Sequence, residues 1–290
     1  MTNSIRNLAP AVFVLLWSTG FIGAKLGLPY AEPATFLTLR FVLVVALFAL
    51  IVTIQRAPMG YTPIQYVHLA VSGCLVHGFY LGGVFAAIAS GVNAGVSALI
   101  VGIQPILTAV LVGPFLGEKV GRRQWSGFLL GFAGVALVVW ENFSPSGQDL
   151  AGFGLCLVAL FGISVGTVYQ KHHCSDMDLR SGSMIQFLAA AVFLGCFSFT
   201  LETREIVWHG EFIFALAWLC LVLSLGAVSL LMWLIRHGAA ARVSSLFYLV
   251  PPLVALESWL LFGERLGLLA VLGMICCAVG VWLVLRANTR

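Results

Sequence analysis

Long apolar blocks alternate with short polar connectors along the whole chain, and each block is about as long as a bilayer core is thick. Ten blocks read as helical spans, at residues 8–26, 34–54, 64–89, 94–116, 124–141, 150–171, 181–202, 211–236, 240–262 and 266–286. Each is close to the roughly 20 residues that cross ~30 Å of hydrocarbon. The connectors leave no room for a soluble domain. The expected fold class is an all-α integral membrane protein of ten transmembrane helices.

A second pattern lies over the first. Residues 105–135 and 251–281 align without a gap at a shift of 146. Pro105 falls on Pro251, Gly117-Glu118 on Gly263-Glu264, Gly127 on Gly273 and Gly134-Val135 on Gly280-Val281. Upstream the same shift pairs Ser18 with Ser164, Gly20 with Gly166, Lys25 with Lys171 and Phe41 with Phe187. One offset over so long a stretch marks a duplication. It divides the chain into a first five-helix repeat at 1–146 and a second at 147–290. Five crossings are odd, so the second repeat must enter the membrane from the other side, which makes the repeats inverted.

Composition adds class and orientation. The chain is 61% hydrophobic and 9% charged, with a mean hydropathy of +1.04, where soluble domains carry about 25% charged residues. Eleven of the fifteen lysines and arginines fall on the side of the N-terminus and three on the other, with Arg40 inside a span. By the positive-inside rule both termini are cytoplasmic. The net charge of +4 is therefore a topology signal, and nucleic acid is not an expected partner. The seven cysteines show no metal-ligand spacing, and all but Cys174 lie in apolar blocks, where cysteine acts as a small hydrophobe. No metal or cofactor is expected. Arg6 precedes the first apolar run, but no small-residue cleavage site follows, so this segment is expected to stay in the membrane.

Leu15-Leu16-Trp17-Ser18 in span one, Leu39-Arg40-Phe41 in span two, and a proline followed by Gly-Glu at the close of spans four and nine resemble the drug/metabolite transporter superfamily, in particular its EamA branch. The resemblance covers essentially the whole chain. It implies a carrier of small metabolites in a bacterial inner membrane, usually an exporter, with a central cavity between the repeats. One departure is Gln186, which stands where the first repeat has Arg40.

The residues themselves narrow the chemistry. No Walker A pattern is present, so active transport would run on a gradient. Gly162-Ile163-Ser164-Val165-Gly166 fits the G-x-S-x-G pattern, but that motif needs a strand-turn-helix setting and here lies within a membrane span. Close helix packing by small residues explains it, and the chain is not expected to be an enzyme. Substrate-lining candidates are Trp17 and Phe21 on span one, His77 and Tyr80 on span three, and Gln104 and Tyr248 beside the prolines. An aromatic wall with a few polar groups suits a small amphipathic molecule; interhelical hydrogen bonding is the plain alternative for His77 and Gln104. Pro105, Pro251 and Pro252 each remove a backbone donor and are candidate hinges, or simply kinks satisfied locally. Lys25 and Arg40 with Glu264 on one face, and Lys171 with Glu118 on the other, are candidate gate pairs.

Glu257 is the carboxylate set well inside a span, roughly 9 Å outward of the midplane by helical rise. An acid at the centre of a membrane helix costs about 2.5–3.5 kcal/mol, and its repeat partner is Leu111. That asymmetry suits a proton-coupling group; an acid hydrogen-bonded to a neighbouring helix is the rival reading. The expected partners are a small-molecule substrate, the lipid bilayer and protons, with a homodimer through the glycine faces of spans five and ten left open. The function expected is export of a small organic metabolite, an amino acid or related amphipathic compound, by alternating access with proton antiport. An uncoupled facilitator or channel is the alternative.

Overall fold

A computed structural model describes residues 3–92, 97, 100–140, 150–262 and 267–287. Its helices are α1 (Asn3–Gly27), α2 (Pro33–Ile54), α3 (Pro63–Ala89), α4 (Gln104–Leu116), α5 (Arg122–Trp140), α6 (Leu150–His173), α7 (Leu179–Leu201), α8 (Gly210–His237), α9 (Ala240–Leu261) and α10 (Leu268–Leu285). Eight of these described helices are long and apolar enough to cross a membrane. The helix ends agree with the sequence reading to within a few residues. In span four only Gln104–Leu116 is a described helix of length, because the preceding residues lie largely outside those described. Exposed Val42, Leu43 and Leu50 on α2, Leu188 and Val192 on α7, and Leu272 and Ile275 on α10 give the bundle the apolar exterior that lipid requires.

The helices obey an internal two-fold. Within α5 and α10, a Cβ added to Gly127 would lie 2.6 Å from the carbonyl oxygen of Gly280, and one added to Gly273 would lie 2.6 Å from that of Gly134. These two contacts exchange under the shift of 146. Glycine alone permits such an approach of two backbones, so the glycine faces of spans five and ten meet each other within the chain. Cys277 Sγ lies 3.5 Å from the oxygen of Gly131, its own repeat partner, and Phe41 packs on its partner Phe187 at 5.4 Å between rings. Thr35 meets Ser198 at one end of α2 while Phe48 meets Phe187 nearer the other. Repeat partners therefore run antiparallel, as inversion demands. The remaining packing follows suit: α1 lies on α9 as α6 lies on α4, and α1 on α8 as α6 on α3.

Regular winding breaks at matched places. Both α3 and α8 widen into a π-helical stretch, at Cys74–Phe79 and Leu219–Val228. In α9 the turn before the prolines tightens to a 3-10 stretch at Leu246–Leu249, and Gly102 and Ile103 form a turn just before α4. Pro251, Pro252 and Pro105 lack the N–H that would continue the ladder.

The face away from the termini is tied across the repeats. Glu202 accepts from the Ala34 and Thr35 backbone N–H groups at 2.8 and 2.6 Å, capping α2. Glu32 accepts from Thr203 Oγ1 and the backbone of Thr203 and Arg204. Thr203 above all holds the Glu32 carboxyl below its ordinary range, so this tie is intact at neutral pH and weakens only as pH falls through that lowered value. Ala31 and Ile206 form an antiparallel bridge beside it.

The glycine seam makes a measurable demand. Gly134→Ala or Gly280→Ala should lower stability by about 1–3 kcal/mol, the usual cost of overpacking, read as a lower unfolding temperature of the detergent-solubilised protein. Gly154→Ala, whose added carbon meets nothing within 4 Å, should leave it unchanged.

Candidate functional site

Two small cavities of about 30 Å³ each lie between the halves and share Trp17, Phe21, Tyr80 and Val84. One continues to Phe247, Val250 and Pro251; the other reaches Arg40, Phe85 and Leu223. The Trp17 ring stands near parallel to that of Tyr80 at 6.4 Å, and packs edge-on against Phe247 at 5.3 Å. The aromatic wall thus draws on α1, α3 and α9. Each space would hold a water or two, so the site is contracted.

Not every lining candidate faces these cavities. Trp17, Phe21 and Tyr80 do. His77 sits in the wide turn of α3 and stacks on Phe187 at 4.2 Å, with Phe41 beyond; neither ring nitrogen has a hydrogen-bond partner among the described residues. Gln104 donates to Thr108 within its own helix. Tyr248 is buried against Gly131, and Phe247, which the sequence reading passed over, takes the lining position. The π-helical shift is the physical reason for His77: regular helical spacing does not hold through a wide turn.

Glu257 is engaged from α1. Ser18 Oγ lies 2.5 Å from Glu257 Oε1 and 2.9 Å from the oxygen of Leu15, while Oε2 is buried with no partner among the described residues. Ser18 stands near the middle of the apolar stretch Leu8–Gly27. One hydroxyl proton cannot serve both acceptors fully. If it stays on Leu15, only a proton on Glu257 can make the short contact with Ser18.

Arg40, read from the sequence as a gate residue, is wholly buried. Its Nε and Nη2 donate to Ser224 Oγ at 3.2 and 3.0 Å, and Ser224 is brought there by the wide turn of α8. Lys25 is exposed at the end of α1, and Glu264 lies outside the described residues. On the terminal face, Glu118, Lys119, Gln124, Lys171 and His237 line a pocket of about 390 Å³. Glu118 accepts from the backbone N–H of Ala240 at 3.1 Å. Lys171 does not form an ion pair with it: the ammonium donates to the oxygens of Arg236 and Gly238, at 3.2 and 2.8 Å. Each charge therefore caps a helix end, Glu118 the start of α9 and Lys171 the end of α8. Among the described residues no three of His, Cys, Asp or Glu converge to hold a metal ion.

Known proteins resemble this chain along its length. Residues 7–140 and 150–286 each match the EamA-like transporter family. The uncharacterized transporter YvbV of Bacillus subtilis is 28% identical over 97% of this chain and 90% of its own length. A probable amino-acid metabolite efflux pump of Escherichia coli is 25% identical over 93% of this chain and 91% of its own. One solved crystal structure superposes with a TM-score of 0.80 over 96% of both chains at 18% identity, a likeness of fold alone.

The terminal pocket carries a sharp expectation. Lys171→Glu should cost about 1–3 kcal/mol by leaving the carbonyls of Arg236 and Gly238 without their donor. Adding Glu118→Lys should not restore it, because Lys171 serves carbonyls. A thermal-unfolding comparison of the two single variants and the double checks this, and full recovery in the double variant would show a true ion pair.

Proposed function

This chain belongs to the EamA-like transporter family, and we propose that it exports a small organic metabolite, an amino acid or a related amphipathic compound, by alternating access coupled to proton antiport. The observation that carries the reading is the aromatic site between the halves, whose Trp17 is followed on α1 by Ser18, the residue bonded to Glu257. An amphipathic cargo suits walls of Trp17, Phe21, Tyr80 and Phe247 better than a bare ion does. The E. coli relative named as a probable amino-acid metabolite efflux pump supports the substrate class. In the cell the chain sits in a bacterial inner membrane as two inverted units, 1–146 and 147–290, with both termini in the cytoplasm.

Glu257 is the proposed coupling group. It is bonded through Ser18 to α1, its second oxygen has no partner among the described residues, and Leu111 replaces it in the first repeat. A proton taken up from one side and released to the other at this carboxylate would link the two fluxes. Ser18 supports the scheme, because its hydroxyl can donate to the ionised acid or accept from the protonated one.

Two measurements test this reading. Glu257→Gln, assayed in proteoliposomes under an imposed pH gradient, should abolish uphill accumulation while downhill exchange persists. Uphill transport at the unaltered level, with unchanged pH dependence, removes Glu257 from the mechanism and assigns coupling to another group, whereas no uphill accumulation by the unsubstituted protein leaves an uncoupled facilitator. Cysteines placed at Arg122 and Arg123 should be labelled only from the cytoplasmic side; labelling from outside reverses the proposed orientation.

A further inference from the structure

We propose that Arg40 anchors the cargo, and that the cargo is a small carboxylate with an apolar body. The inference rests on the transport reading of the same cavities and extends it to what they recognise.

A guanidinium cannot shed its charge inside a protein, and burying it without a counter-charge is among the costlier arrangements in a membrane helix. Arg40 is 0% exposed. Its described polar partner is one neutral hydroxyl, that of Ser224, which receives Nε and Nη2. The third nitrogen, Nη1, is buried with no hydrogen-bond partner among the described residues. No carboxylate of the described residues pairs with it, since Asp178 pairs with Arg180, and Glu202, Glu32 and Glu257 are engaged elsewhere.

The fold does not require a cation here. At the matching position of the second repeat stands Gln186, which donates to Gln170 at 2.9 Å in a buried amide pair. A neutral side chain thus serves in one half, while the other carries a permanent charge. That charge borders the cavity formed with Trp17, Phe21, Tyr80, Val84 and Phe85. Ser224 receives Nε and Nη2 and leaves Nη1 unengaged among the described residues. A planar carboxylate answers one edge of a guanidinium. The lone cation fits one negative charge, where a phosphate dianion would call for more donors than the apolar wall provides. The aromatic rings take the body of the same molecule.

Equilibrium binding to the intact protein in lipid nanodiscs tests the proposal with matched probes. These are 3-phenylpropionate against 3-phenylpropanamide, and L-phenylalanine against L-phenylalaninamide. At least one acid should bind about a hundredfold more tightly than its amide, the scale of a buried charged hydrogen bond. Arg40→Gln should erase that preference, and Arg40→Lys should keep it in weakened form. If neither acid outbinds its amide in the wild type, or if Arg40→Gln still prefers the acid, the proposal is overturned. Should Arg40→Gln not fold, the acid–amide comparison in the wild type and in Arg40→Lys still decides. Carboxylate binding without transport would sink the transport reading and leave this one standing. Transport without acid preference would do the reverse.

Discussion

A carbon added to Gly127 would land 2.6 Å from the oxygen of Gly280, and one added to Gly280 would land 2.7 Å from that of Gly127. This reciprocal approach, repeated at Gly134 and Gly273, holds the two halves in one antiparallel register. Lipid supplies no hydrophobic drive between helices, so intimate packing must do that work. With α5 locked on α10 and α2 on α7, the placement of every other helix is confined by the two-fold. The aromatic cavities lie between the halves, where α1, α3 and α9 converge. Their walls are set by a seam of residues that have no side chain at all.

Symmetry supplies the scaffold, and departures from it supply the chemistry. Glu257 faces Ser18 where the first repeat has Leu111. Arg40 stands where the second repeat has Gln186, and Phe247 where the first has Val101. Each is a site at which one half keeps a packing residue and the other takes on a charge or a ring. A site between two identical halves would present the same groups to both faces of the membrane. The differences give the space between the halves a chemistry that neither repeat has by itself.

Much of this was legible in the sequence, for physical reasons that differ by residue. Hydrophobic block length reports the bilayer directly, and the shift of 146 reports the duplication, so the inverted architecture could be read before any contact was known. Trp17, Phe21 and Tyr80, placed by the sequence at similar depth on spans one and three, border the same cavities. Arg40 was read within span two and given a gate role from the inversion of the repeats; that it is wholly buried against Ser224 follows only from the packing of α8. His77, placed by regular helical spacing, sits in a wide turn and packs on Phe187, and Tyr248, placed by its nearness to the prolines, packs on Gly131. Lys171 and Glu118 were correctly brought to one pocket, yet each proved to serve a helix end. Sequence holds no record of which carbonyls lack donors.

The contracted cavities finally say where this protein can move. Spaces of about 30 Å³ hold no more than a water or two, so any larger molecule placed there requires the walls to part. A regular membrane helix resists bending, because each broken backbone bond in hydrocarbon costs several kcal/mol. Irregular turns are where that resistance is already reduced. Tyr80 directly follows the wide turn of α3, Phe247 lies within the tight turn of α9, and Leu223 lies within the wide turn of α8. All three border the cavities. The glycine seam lies on α5 and α10, whose winding is unbroken among the described residues. Cavity walls can therefore shift at their irregular turns while the seam that relates the halves stays closed.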